Sequence, residues 1–272
     1  MAAVSGLIRV MEKAARKAGG RLRRDFGEIE HLQVSQKGPA DFVSKADLRS
    51  ERTIYDELTA ARPGWGFVME EAGTIEGEPD APRWIVDPLD GTSNFLHGIP
   101  HFAISIAAQE RTLDGRGWGD VVAGVVYNPV TDETFWAEKS RGAWLHDGRL
   151  RVSGRRQLSE ALIATGIPYG GHGDFGEWAR IFGAIGPQVA GIRRFGAASL
   201  DLAWVAAGRF DGFWESDLAD WDTAAGCLIV REAGGFVSDY RGRSQSIHAK
   251  QVLAANDALH SRLHKILATA LK

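Results

Sequence analysis

The run Asp87-Pro88-Leu89-Asp90-Gly91-Thr92-Ser93-Asn94-Phe95 sets two carboxylates three positions apart, then a glycine and two hydroxyls. It follows an apolar stretch, Trp84-Ile85-Val86, that reads as a short buried strand. Carboxylate oxygens are hard donors of the kind a divalent cation takes. Leu89 adds a backbone carbonyl, because Pro88 stiffens the turn and leaves that oxygen to point inward. Gly91 allows close backbone approach. Thr92 and Ser93 begin a helical turn whose N–H groups point at an anion. Such a turn suits a metal ion and a phosphate ester held together.

Further acids close apolar runs elsewhere. Glu70 and Glu71 follow Phe67-Val68-Met69. Asp222 follows Trp221 and opens an apolar helix, and Asp47 stands at the start of another, after Val43-Ser44-Lys45-Ala46. Singly, each reads as an N-cap or a solvated carboxylate. Jointly, beside a Gly-Thr turn, they read as a ligand set. Mg²⁺ needs only a few carboxylates, with waters and phosphate oxygens completing its shell. Such ions clamp phosphate, activate water and stabilise a leaving alkoxide.

The elements that must deliver these residues follow from periodicity and breakers. Helices are expected over residues 3–25 (stopping near Gly19-Gly20 or a turn later), 45–61, 174–184, 197–207, 222–233 and 257–269, the last capped by Asn256. A hairpin or irregular strands are expected over 30–43, around Lys37-Gly38-Pro39. Strands are expected at 67–69, 84–86, 102–110, 119–127, 132–138, 161–165, 191–194, 210–214, 235–238 and 251–254, with a short hairpin at 141–152. Residues 72–82 read as surface loop, and Gly170-Gly171-His172-Gly173 as a loop with no anion-binding partner. Strand runs in the first half and alternation in the second suggest two subdomains, 1–145 and 146–272, packed as one unit.

A length of 272 residues and a formal charge of -3 give no basic footprint for nucleic acid. Arg21-Leu22-Arg23-Arg24 reads as a solvated helix face. The single cysteine, Cys227, excludes an intrachain disulfide, suits a reducing compartment and reads as a buried inert thiol. No run approaches the ~18 apolar residues of a membrane span, and no signal peptide opens the chain. A cytoplasmic protein is expected. His97, near the turn, reads as structural, and Trp221 and Trp214 as supports behind Asp222 and Glu215.

Taken together, Asp47, Glu70-Glu71, Asp87 to Phe95, Trp221-Asp222 to Gly226 and Arg231-Glu232-Ala233-Gly234-Gly235 resemble the signature of the inositol monophosphatase family, in order and spacing. The resemblance implies an α+β fold, a layered αβαβα sandwich of the sugar-phosphatase type. It implies a homodimeric, lithium-sensitive, Mg²⁺-dependent phosphomonoesterase whose substrate is a small polyol phosphate, with myo-inositol 1-phosphate foremost. By the same resemblance Glu70, Asp87, the Leu89 carbonyl, Asp90 and Asp222 are metal ligands. Thr92, backed by Asp47, acts with Glu70 on the attacking water. Gly91, Thr92, Ser93, Ala198, Glu215 and Asp222 contact substrate, the first two through amides on the phosphate.

This chain departs from the family pattern at Met69, at Ser216-Asp217-Leu218-Ala219-Asp220 after Glu215, and in the loop Thr165-Gly166-Ile167-Pro168-Tyr169. Those departures bear on the alcohol more than on the reaction. Histidinol, sugar and nucleotide phosphates therefore stand as alternative substrates. A binding partner of the transcription machinery stands as an alternative role that the sequence itself does not indicate. The haloacid dehalogenase type also continues a strand-end Asp into Asp-Gly-Thr, but with its acids two apart and the first a nucleophile; the spacing here is three.

Overall fold

Two faces of each strand lead to two different cores, and that alternation builds the layers. The computed structural model describes residues 4–26, 34–38, 41–112, 114–115, 117–168, 173–244 and 249–272. In chain order the elements are α1 (Gly6–Phe26), β1 (Val34–Gly38), β2 (Asp41–Ser44), α2 (Lys45–Ala61), β3 (Gly66–Met69), β4 (Gly73–Ile75), β5 (Arg83–Asp90), α3 (Thr92–Leu96), β6 (Ala103–Arg111), β7 (Trp118–Asn128), β8 (Glu133–Glu138), β9 (Gly142–Leu145) and β10 (Gly148–Arg149). They continue as β11 (Leu162–Thr165), α4 (Phe175–Ile185), β12 (Gly191–Arg193), α5 (Ala198–Ala206), β13 (Gly212–Ser216), α6 (Asp220–Glu232), β14 (Phe236–Ser238), β15 (Gln251–Ala255) and α7 (Asp257–Ala270).

The described residues form an eight-stranded sheet in the order β10-β9-β8-β7-β6-β5-β3-β4 and a five-stranded sheet in the order β12-β11-β13-β15-β14. The first is antiparallel except for the β3–β5 pair. In the second, β12, β11 and β13 run parallel, while β15 is antiparallel to β13 and β14. On β6, Ile104, Ile106 and Ala108 enter a core shared with α1 and α2. Ala103 and Ala107 enter a second core, filled by α5 and α6 and closed by Ala164, Phe213 and Ala254 of the smaller sheet. The outer face of that sheet sends Ile163, Trp214 and Leu253 into a third core with Ile181 of α4 and Leu259, Leu263 and Leu267 of α7. The result is an αβαβα sandwich.

The α1 helix runs through Gly19-Gly20 and ends at Phe26, one residue past the expected 3–25 span; two other expectations shift. Gly19 faces Tyr127 and Pro129 across a gap too small for a side chain, while Met11, Ala15, Ala18 and Leu22 carry the buried stripe past it. The loop at 72–82 contains β4, an edge strand pairing Thr74 with Val68; three residues are too few to show alternation. Helix α6 begins at Asp220 rather than Asp222, because the Asp222 side chain reaches back to accept from the Ala219 N–H at 2.7 Å. The Asn256 cap forms, accepting from Leu259 N–H at 3.0 Å, and Cys227 is buried. The hairpin expected at 30–43 appears as the β1–β2 pair. Residues 30–33 and Pro39 lie outside the described residues, as do Tyr169, Gly170, Gly171 and His172. No described helix is long and apolar enough to cross a membrane.

Candidate active site

Strand β5 is buried along its whole length. Near its end Asp87 pairs with Ser105 and Asp90 with Ala103, so β5 carries one residue more than its partner between the two acids. A bulge of this kind re-aims side chains. Pro88 and Leu89 make the bulge. The Pro88 carbonyl is taken by the Ser50 hydroxyl at 2.7 Å, and the Leu89 carbonyl receives the Thr92 hydroxyl at 3.1 Å.

A cavity of about 290 Å³ opens at this strand end, lined by Glu70, Asp87, Leu89, Asp90, Gly91, Thr92, Ser93, Arg194, Gly196, Ala198, Glu215, Leu218 and Asp222. Every residue expected at the site is therefore in one place, save Asp47. Asp47 is fully buried behind the wall, where its Oδ1 accepts from the Thr92 hydroxyl at 2.9 Å. Glu71 does not line the cavity; its backbone N–H donates to the Glu51 carboxylate at 2.9 Å. His97 is exposed, and its backbone N–H rather than its ring closes the α3 turn. Sequence reasoning missed Arg194, Gly196 and Leu218. For Arg194 there was no signal beyond its place two residues ahead of Gly196.

Three of the carboxylates share a design. Asp87 Oδ1 accepts from Leu89 N–H at 2.9 Å. Asp90 Oδ2 accepts from the Ser199 N–H at 2.8 Å and the Ser199 hydroxyl at 2.5 Å. Asp222 Oδ2 holds Ala219 N–H at 2.7 Å. Each acid thus has one oxygen pinned by the protein and a second left for a ligand. Gly91, at φ 91°, is in the left-handed region, and a Cβ there would lie 3.1 Å from the His101 carbonyl. Only glycine fits both demands.

Burial and mutual repulsion make these carboxyls hard to ionise without a compensating positive charge. Burial, then the charges of Glu70, Asp90 and Asp222, holds the Asp87 carboxyl well above the ordinary carboxylate range. Burial also raises Asp90, against the Ser199 hydrogen bonds that oppose it. Asp222 is pushed up to about 8 by burial and then by Asp90. Glu215 rises to about 8 by burial, then by Asp201 and Asp90, with Arg194 opposing. Among the described residues no group of three or more His, Cys, Asp or Glu side chains is already drawn together as a metal site. Magnesium does not require one, since it binds through one or two carboxylates and keeps several waters. An all-oxygen donor set of mutually repelling buried acids fits such an ion.

The chain matches the inositol monophosphatase family over residues 4–272. It is similar to the inositol-1-monophosphatase of Rhizobium meliloti, 52% identical over 97% of this chain and 96% of that one. It is also similar to the Nus factor SuhB of Pseudomonas aeruginosa, 42% identical over 92% of this chain and 91% of that one. Among solved structures, the extragenic suppressor protein suhB from Bartonella henselae superposes with a TM-score of 0.91 at 52% identity, covering 97% of this chain and 98% of the other.

Proposed function

The chain belongs to the inositol monophosphatase family, and from that premise we propose that it hydrolyses a small polyol phosphate monoester, myo-inositol 1-phosphate foremost, with Mg²⁺ as cofactor. The observation that carries this reading is the set of three carboxylates, each pinned by one oxygen, around a cavity that also presents the Leu89 carbonyl and the Gly91-Thr92 turn. In this reading Glu70, Asp87, Leu89, Asp90 and Asp222 hold metal. Bound there, the cation supplies the positive charge that activates water and steadies the departing alkoxide.

The chain's own groups do the rest. The Gly91 and Thr92 amides, with Ser93 beside them, receive phosphate oxygens. Thr92 donates to Asp47, which turns its lone pairs toward the attacking water. Ala198, Glu215 and Asp222 meet the alcohol, where a carboxylate accepts from hydroxyls. The lithium sensitivity, cytoplasmic location and homodimer implied by the family belong to the same proposal. So does its division at residue 145 into a half carrying most ligands and a half carrying the alcohol pocket.

Stripping the protein with EDTA and restoring Mg²⁺ tests the reading. Hydrolysis of myo-inositol 1-phosphate is expected to vanish and return, with a higher kcat/KM than for histidinol, fructose or adenosine phosphates. Unchanged hydrolysis after chelation would sink the metal reading, and a better alcohol in the panel would replace inositol. The SuhB-named relatives favour one second reading, a role in binding the transcription machinery. A cellular phenotype that survives Asp90→Asn would support it.

Glu215 gives a further test of the alcohol pocket. A Cβ at Gly166 would fall inside the Glu215 carboxylate, so Gly166→Ala forces that side chain aside. The expected result is a KM raised by roughly tenfold, the loss of a charge-assisted hydrogen bond, with the Mg²⁺ requirement unchanged. A shift in the Mg²⁺ requirement at constant KM would move Glu215 from the alcohol to the metal.

A further inference from the structure

Behind the cavity lies a buried histidine–carboxylate pair that none of these roles uses. His101 Nε2 and Asp201 Oδ1 are 3.0 Å apart, and both residues are almost wholly buried. The His101 ring is stacked on Phe195 at 4.6 Å and meets the Trp204 ring edge-on at 4.9 Å. The other Asp201 oxygen is buried and has no hydrogen-bond partner among the described residues. A half-satisfied buried carboxylate is costly, and packing alone would be better served by an apolar residue.

The pair's connections explain what it holds. Asp201 lies in the first turn of α5, the turn whose Ser199 grips Asp90. The His101 carbonyl accepts from Asn94 Nδ2 at 2.7 Å, and the same nitrogen donates to the Phe195 carbonyl at 2.6 Å. Asn94 belongs to α3, which opens directly after Gly91, and Gly91 itself packs on the His101 carbonyl. Two threads thus run from α5 to the turn that carries the chemistry. One is direct, Ser199 to Asp90. The other passes through Asp201, His101 and Asn94.

We propose that Asp201 and His101 form a positioning pair that seats the Asp90–Asn94 turn against α5, and so sets the distance between the phosphate-facing turn and the metal-facing acids. Neither residue touches substrate. The pair acts through the His101 backbone, whose carbonyl is fixed only while the ring is held. This deepens the phosphatase reading and rests on it, but its structural half can be measured without turnover.

The test uses Asp201→Ala and Asp201→Asn in the full chain, with His101→Leu and His101→Gln as a second pair. Asparagine keeps an acceptor for the ring, and glutamine keeps a donor near the position of Nε2. In Asp201→Ala, kcat on myo-inositol 1-phosphate is expected to fall by ~10- to 100-fold, as for a misplacement on the order of 1 Å, with a smaller change in KM, because Asp201 does not line the cavity and reaches the alcohol pocket only through its charge on Glu215. Amide hydrogen exchange over residues 92–97 is expected to quicken by at least ~10-fold while α7 is unchanged, the signature of local rather than global opening. Asp201→Asn and His101→Gln should recover most of both. If Asp201→Ala does not fold, the His101 pair decides alone.

Wild-type kcat in the disrupting variants, exchange that rises equally in α7, or no rescue by Asn and Gln would each overturn the pair's positioning role. A wild-type protein that fails to hydrolyse any phosphomonoester would overturn the phosphatase reading instead, and the exchange result would still stand or fall by itself.

Discussion

Asp222→Asn is expected to lower turnover by about 10²- to 10⁴-fold, the several kcal/mol that a correctly held metal contributes to a phosphoryl transition state. The substitution is close to isosteric, and its carbonyl oxygen can still accept from the Ala219 N–H. The start of α6 therefore survives, and what is lost is charge. Asp222→Ala removes the cap as well, so it should also cost about 1 kcal/mol of stability. Steady-state assays at saturating Mg²⁺ separate the two variants from wild type. Near-normal turnover in Asp222→Asn would remove this residue from the ligand set.

The same substitution should make the metal-free protein more robust. Asp222 ionises near 8 rather than at 3.8 because burial and Asp90 oppose its charge. A carboxyl whose pKa rises on folding contributes stability below its unfolded value and loses it as pH climbs toward the folded one. Metal-free wild type should thus melt at lower temperature at pH 8 than at pH 5, and Asp222→Asn should flatten that slope. Mg²⁺ should raise the wild-type Tm at pH 8 and raise the variant's less. A variant that melts lower than wild type without metal, and gains as much from Mg²⁺, would contradict the electrostatic account.

What the sequence showed plainly was what short-range rules determine. The β5 strand and its turn are one contiguous run, Arg83 to Ser93, and β6 is a short run apolar on both faces. Asn256 before α7 is a cap whose partner is three residues away. What stayed hidden depends on contacts between distant segments. The reason for a glycine at 19 inside a helix is Tyr127 and Pro129, which occupy the space beside it from far along the chain. Asp222 looks like the opening of a helix until its side chain is seen folding back on Ala219. Arg194 and the His101–Asp201 pair carry no local pattern. Arg194 reaches the cavity because β12 runs beside β11, and Asp201 meets His101 across 100 residues of chain.

Thr92 carries the second large effect, and here a hydroxyl's single proton decides the argument. The Thr92 oxygen lies 2.9 Å from Asp47 Oδ1 and 3.1 Å from the Leu89 carbonyl. One hydrogen serves one acceptor at a time, and the shorter, charge-assisted bond to Asp47 is favoured. In the proposed reaction its lone pairs accept from the attacking water, and Asp47, with no exposure of its own, would complete a relay that draws a proton inward. Thr92→Ala is expected to lower kcat by ~10²- to 10⁴-fold, the range for a lost proton-transfer group. The Mg²⁺ concentration for half-maximal rate should move far less, and Thr92→Ser should restore most of the rate. Asp47→Asn should fall in the same range, and combining it with Thr92→Ala should cost little more than either alone, because the two act as one unit. Additive losses would break the relay into two separate roles. A variant that loses Mg²⁺ affinity in proportion to kcat would make Thr92 a brace for the Leu89 carbonyl, its other hydrogen-bond partner.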